Sequence, residues 1–210
     1  MATSALGLLG RFRHDRRAVS AVEFALCLPF MLMLYLGGIE LSQAVSADRK
    51  VTLLARTVGD LVAQNDAVTT SQVGAIFDAA SAVLYPFPTT AGGSSILSVS
   101  LAEIWTYTHT DGTTTSNLEW SCSATAGSLG SPSCAASSDY ASCTLPDVTT
   151  APLETLPAPE VGNATIKAVV SYSWTPTIAA GVVGPLTLSQ TIYLRPRLST
   201  HVCWSATSSS

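Results

Sequence analysis

An apolar segment near the N-terminus constrains this chain more than any other feature. It runs from Val19 to Ile39, is 21 residues long, and carries one charged side chain, Glu23. About 20 helical residues cross the hydrocarbon core of a bilayer, which is roughly 30 Å thick. The segment is therefore predicted to be a transmembrane helix. A modest kink is expected at Pro29, because proline removes one backbone hydrogen bond.

The distribution of charge predicts the orientation of this helix. The first 17 residues contain four arginines and one aspartate, a net charge of +3, whereas residues 67–210 contain three basic and eight acidic groups, a net charge of −5. Basic residues collect on the cytoplasmic side of membrane helices. We therefore expect residues 1–18 to be a cytoplasmic basic leader and the C-terminal part to lie outside. The alternative is a cleaved secretory signal with a small-residue cleavage site at Ala44–Ala47.

Composition excludes two classes of protein. Only 11% of the residues are charged and 47% are hydrophobic, which is the opposite of a disordered chain. Ten basic residues against 14 acidic ones leave no surplus of positive charge for phosphates, so no nucleic-acid partner is expected. A length of 210 residues allows one domain of ordinary size with an appendage.

The helical pattern continues beyond the apolar run. Residues 40–65 form an amphipathic extension, in which apolar residues recur at spacings of three and four: Val51, Leu54, Val58, Leu61 and Val62. Residues 19–64 would then form one rod about 70 Å long. A rod of this length cannot bury itself in one small domain, so its outer half requires a partner, which could be its own head domain, another subunit, or both.

Residues 66–210 are predicted to form an α+β head domain. A helix is expected over 71–85, opened by a capping box of Thr69 and Gln72 and ended by two prolines. Alternating apolar residues predict four antiparallel strands near 96–108, 117–123, 164–175 and 186–195, and Asp111-Gly112 predicts a tight hairpin between the first two. Residues 124–163 are mostly small, polar or proline and are predicted to be a loop.

Cysteine usage agrees with an oxidising compartment outside the membrane. Cys27 lies in the apolar run, and four further cysteines lie beyond it: Cys122, Cys134, Cys143 and Cys203. An even number in the external part predicts disulfides. Three pairings are possible, including Cys134 with Cys143, which closes the shortest loop, and Cys203 with Cys122. The sequence does not choose among them.

No catalytic or metal-binding constellation is present, so the sequence predicts neither an enzyme nor a cofactor. The chain lacks metalloprotease, nucleophile-elbow and phosphate-loop motifs, and it has no CxxC spacing. Four carboxylates of the head could pair, but nothing singles out two of them: Glu103, Asp111, Glu119 and Asp139.

Glu23, the one charged residue of the apolar run, is predicted to have a function. A carboxylate in a bilayer costs a few kcal/mol and is a functional candidate by default. A cut between Ala18 and Val19 would create an α-amino group, which a neighbouring rod shifted along its axis could present to Glu23. Between apolar helices this pair would select one stagger, because others leave a buried charge unpaired.

Several N-terminal motifs resemble a known family. They are RRAVSAVEFAL at 16–26, Pro29, GIEL at 38–41, RKVT at 49–52 and DLVAQ at 60–64. This segment is similar to the TadE/TadG-like proteins, which are pilin-like components of bacterial tight-adherence (Flp-type) pilus systems. The resemblance covers roughly the first 65 residues and does not reach residues 66–210.

The resemblance implies a non-enzymatic minor pilin or pilus-assembly component that serves cell adhesion. It would cross the inner membrane once, with a periplasmic head, and its partners would be membrane lipid and other pilin-like subunits. Prepilins are cut after a small residue, usually Gly, with Glu fifth in the mature chain. Ala18 and Glu23 have this spacing, although Ala replaces Gly, so Ala18–Val19 is a candidate bond for a prepilin peptidase. Glu23 and Phe24 are the candidate assembly residues.

Two other functions remain open. One is a secreted or anchored envelope protein whose β-rich head binds a surface or a glycan. The other is a periplasmic hydrolase whose site the motifs do not reveal.

Overall fold

One long helix forms the axis of the molecule. The computed structural model describes residues 16–108, 114–136, 164–178 and 184–205, and its first element is helix α1 (Arg16–Ala63), which contains 48 residues. At 1.5 Å per residue α1 is about 72 Å long. It continues through Pro29.

The head is an antiparallel sheet covered on one face by helices, so the α+β prediction is confirmed. The sheet has five strands: β4 (Leu97–Thr108), β5 (Thr114–Thr125), β6 (Ser133–Ala136), β7 (Ala164–Trp174) and β8 (Leu186–Leu194). Their order in the sheet is β6-β5-β4-β7-β8. Two small pairs complete the fold, namely β1 (Ala67–Val68) with β9 (Cys203–Trp204), and β2 (Thr90–Ala91) with β3 (Ser94–Ser95).

Two sequence predictions about these elements need correction or qualification. The loop expected over 124–163 is wrong in part, because β6 lies inside that range and pairs with β5. The Asp111-Gly112 turn lies outside the described residues, but the strands on either side pair through Thr108 and Thr114, as in a hairpin.

Helix α2 (Thr70–Ser81) begins as predicted and ends earlier. Its capping box is present, with the Thr69 hydroxyl accepting from the Gln72 backbone N–H and the Gln72 side chain accepting from the Thr69 N–H. The predicted end at Tyr85 is wrong for the α-helix, because a 3₁₀ turn occupies Ala82–Leu84. The ammonium of Lys50 on α1 donates to the carbonyls of Val83 and Tyr85, and this contact joins the end of the turn to α1.

The core lies between the helices and one face of the sheet. Side chains of β7 alternate strictly, and every second one from Ala164 to Trp174 is buried. They meet buried residues of α1: Ala47, Val51, Leu54, Ala55, Val58 and Val62. Gly59 permits this approach, because a Cβ there would lie 2.6 Å from Cδ1 of Leu194 and 3.3 Å from the Cβ of Ala168.

A disulfide joins β5 to β6. Cys122 and Cys134 are direct cross-strand partners with Cα atoms 4.1 Å apart, so the alternative pairings of these two cysteines do not occur. Cys203 is also disulfide-bonded. Cys143 lies outside the described residues.

Candidate anchoring and assembly site

The first half of α1 is exposed and apolar around its whole circumference. An 18-residue window of this part has no buried share. Its large exposed side chains include Val22, Leu26, Phe30, Met33, Leu34 and Tyr35. Exposed apolar surface of this extent marks a membrane or protein contact, because monomeric soluble proteins rarely expose it. The helix is long and apolar enough to cross a membrane.

The contact between α1 and the head begins at Glu40. This residue follows the apolar run directly and is only 7% exposed. Its carboxylate accepts a hydrogen bond from the backbone N–H of Ile178, in the segment after β7. A buried carboxylate is tolerated only where such donors satisfy it. Glu40 therefore ties the head to α1 at the place where the exposed run ends.

The predicted assembly residues all lie in the exposed part of α1. Glu23 and Phe24 are exposed, as is Val19. Ala18 and Val19 lie within the first turn and a half of α1, which begins at Arg16. Along the helix, Glu23 precedes Glu40 by 17 residues, or about 25 Å. The structure therefore brings none of the predicted assembly residues to the head.

Two of the predicted candidate carboxylates, Glu103 and Glu119, are buried at 0% and 1% exposure. Glu103 accepts hydrogen bonds from the Trp120 indole N–H (2.8 Å) and from the Val202 backbone N–H (2.5 Å). It thereby fixes the segment before β9 to the sheet. Asp111 and Asp139 lie outside the described residues.

Sequence reasoning missed this role of Glu103, although a signal was available. Leu97, Val99, Leu101 and Trp105 mark one face of β4, and Glu103 occupies the missing inward position of that alternation. A carboxylate at an inward strand position requires buried donors, and Trp120, its cross-strand partner, supplies one.

The described surface offers little for catalysis. A depression on the sheet is lined by small residues and serines, including Ser98, Ser100 and Ser123, with no acid or base among its lining residues. Among residues 16–108, 114–136, 164–178 and 184–205, no group of three or more His, Cys, Asp or Glu residues could hold a metal ion. Activating a serine requires an adjacent base, so this depression lacks the parts for nucleophilic chemistry.

Comparison with known proteins finds a family match within α1. The family model described as TadE-like protein matches residues 18–60. This segment is TadE-like. The match confirms the resemblance expected from the N-terminal motifs. No curated protein and no solved structure matches the chain.

The TadE-like segment includes both halves of α1. It contains the exposed run with Glu23 and Phe24. It also contains the α1 residues that are buried against the head, as far as Asp60. Such a segment implies a membrane protein associated with a Tad pilus. The sheet lies outside the match.

Proposed function

We propose that this chain is a non-enzymatic, pilin-like subunit of a tight-adherence pilus apparatus. It is anchored in the inner membrane by residues 19–39, with residues 1–18 in the cytoplasm and the head, residues 66–210, in the periplasm. Residues 40–65 join the two as one rigid rod. The observation that carries the proposal is the TadE-like helix, whose first half is exposed and apolar and whose second half is built into the head core.

Glu23 is the proposed determinant of subunit register. An exposed carboxylate among apolar side chains is costly in lipid and gains most from a cation in the same apolar environment. Residues 19 and 23 are four positions apart, which is about 6 Å along the axis. A parallel neighbour shifted by that distance and cut before Val19 would bring its α-amino group level with Glu23. Phe24, next to it on the exposed surface, supplies apolar contact area.

The first test separates assembly from anchoring. We expect Glu23→Gln and Glu23→Ala to abolish co-purification of differently tagged subunits from bacterial membranes, because neither side chain can pair with a cation. Both variants should stay in the membrane pellet after alkaline washing, since the apolar run is intact. Ser20→Ala, one turn away, is the matched control and should assemble normally.

Each contrary outcome has a distinct meaning. Wild-type co-purification of both Glu23 variants would refute the role in register. Release of the wild-type chain by the alkaline wash would refute the anchor and favour a secreted envelope protein.

The second test concerns processing by a prepilin peptidase. Sequencing the N-terminus of the membrane-bound protein should give Val-Ser-Ala-Val-Glu, as expected for a cut after Ala18. Ala18→Arg should leave the leader attached, because the peptidase accepts small residues before the cut. A wild-type chain that retains its leader would contradict this step without affecting the anchor.

A further inference from the structure

Four exposed apolar side chains surround the end of the head that lies nearest the apolar run. Leu41 and Val45 belong to α1 and are 68% and 44% exposed, while Ile178 and Leu186 flank the connection between β7 and β8 and are 57% and 49% exposed. We call these four residues the base. We infer that the base rests in the interfacial layer of the outer leaflet, so that the head lies directly on the lipid surface. This inference rests on the proposed anchoring of α1.

Contacts with α1 show how far each part of the head lies from the apolar run, measured along the helix axis; we call this distance its height. The Ile178 N–H bonds to Glu40, the side chain of Gln190 approaches Asp48 at 3.4 Å, and the Arg197 N–H bonds to the carbonyl of Ala63 at 2.8 Å. β8 therefore rises along α1, away from the apolar run.

Leu186 lies close to the level of Glu40. It precedes Gln190 by four strand residues, or about 13 Å. Asp48 stands eight helical residues above Glu40, or about 12 Å. Leu186 therefore lies about 13 Å below Gln190, and Glu40 lies about 12 Å below Asp48, the residue that Gln190 approaches. Ile178, which is bonded to Glu40, and Leu186 thus both lie at the level where the apolar run ends.

Charge is absent from the segments that reach this level in the described part of the chain. The α1 segment 41–47 contains no Asp, Glu, Lys or Arg, and neither do residues 79–102, 168–178 and 184–194. On α1 the first charge above Glu40 is Asp48, about 12 Å higher. The polar layer of one leaflet is about 5–8 Å thick, so the charge-free zone spans it. Placing the base there moves no formal charge of these segments out of water, and the carboxylate of Glu40, at the lower edge of the base, is already buried in the fold.

Continuity with the anchor favours lipid as the occupant. Leu41 follows the apolar run after a single residue, and Ile178 is hydrogen-bonded to that residue, Glu40. The bilayer is therefore the surface that meets the base as soon as α1 is inserted. Apolar side chains at such a boundary are stabilised by burial about 5–10 Å into the headgroup region.

The inference can be tested by measuring depth in the bilayer. The full chain carrying Cys27→Ala would be reconstituted at low protein density in phosphatidylcholine vesicles, with bimane attached to one new cysteine: Ile178→Cys, Leu186→Cys, Leu198→Cys or Leu34→Cys. Nitroxide-labelled lipid reports lipid contact, and aqueous iodide reports exposure to water. We expect labels at 178 and 186 to lie within about 10 Å of the headgroup boundary.

The other two labels are the matched controls. Leu198 is equally apolar and exposed, but it follows Arg197 at the opposite end of the head, about 35 Å higher along α1, and should respond only to iodide. Leu34 lies within the apolar run and should respond only to lipid. Because the base has no charge, adding phosphatidylglycerol should change none of these results.

The outcomes separate the base from the anchor. If Leu34 lies in lipid but positions 178 and 186 respond like Leu198, the inference is overturned and the anchor stands. Protection of 178 and 186 from both quenchers would also overturn it, in favour of a second copy of the chain. If Leu34 is not in lipid, the proposed anchoring itself fails.

Discussion

At the scale of single residues, Gly74 shows how closely α2 packs. A Cβ at this position would lie 2.4 Å from the carbonyl oxygen of Gly130, in the turn between β5 and β6. Backbone cannot move aside as a side chain can. The buried face of α2 therefore requires glycine here, although glycine in a helix interior costs about 1 kcal/mol relative to alanine.

This contact predicts the effect of Gly74→Ala. The gain in helix propensity is outweighed by overpacking, which typically costs about 1–3 kcal/mol, so the head should unfold at a lower urea concentration. Gly59→Ala is the comparison, because the closest atom to its Cβ would be Cδ1 of Leu194, the end of a side chain that can rotate, while the Cβ of Ala168 would lie 3.3 Å away. Tryptophan fluorescence of the full chain in detergent would follow unfolding. Equal loss of stability in both variants would contradict this account.

At the scale of elements, Tyr172 joins β7 to the segment that follows the 3₁₀ turn. Its hydroxyl donates to the carbonyl of Pro88 at 2.9 Å, and burial raises the pKa of Tyr172 above its ordinary value. A pKa that is higher in the folded state means that the fold favours the neutral phenol. The resulting stability is present below the unfolded pKa of about 10 and is lost as pH rises through the folded pKa.

Tyr172→Phe should therefore remove part of the alkaline instability. The variant loses a hydrogen bond worth about 1 kcal/mol near neutral pH, but its unfolding free energy should fall less than that of the wild type between about pH 8 and about pH 11. Every other side chain is the same in both proteins, so the difference isolates Tyr172. If the unfolding free energies of the two proteins fell in parallel as the pH rises, the role of Tyr172 in the alkaline instability would be refuted.

The elements recovered from the sequence are those whose signal is local. Apolar spacing predicts α1, and strict alternation predicts β7, because each buries one continuous face. β6 is not predicted because Ser133–Ala136 has no alternation of apolar and polar residues, and its place depends on pairing and a disulfide with the preceding strand, β5. The β1–β9 pair depends on a contact between residues 67 and 203, which no local pattern contains.

The candidate site divides in the same way. Glu23 stands out because it is charged within an apolar run, whereas its proposed partner belongs to another molecule and leaves no trace in this chain. Glu40 looks like an ordinary helix residue, and its burial depends on Ile178, which is 138 positions away. Local patterns thus identify unusual residues, but non-local contacts decide what those residues do.

At the scale of the whole molecule, α1 belongs to two environments at once. Residues 40–63 supply buried side chains to the head, and the same helix continues into the apolar run without a break. A head without this half of α1 would expose the inner face of the sheet, including Ile166, Ala168 and Val170. The folded head and the apolar run therefore form one mechanical unit, in which any force on the head is passed directly to the first half of α1.

Truncation tests this view. A chain beginning at Glu40 should fold as a soluble head with the Cys122–Cys134 bond, a cooperative urea transition and near-ultraviolet circular dichroism. A chain beginning at Asp66 should lack that transition, because it loses the apolar surface that Val51, Leu54 and Val58 provide, and burying each such side chain contributes about 1.5–3 kcal/mol. Adding a peptide of residues 40–65 should restore the transition. If the chain from Asp66 unfolded as cooperatively as the chain from Glu40, the head would be an independent domain and α1 a mere tether.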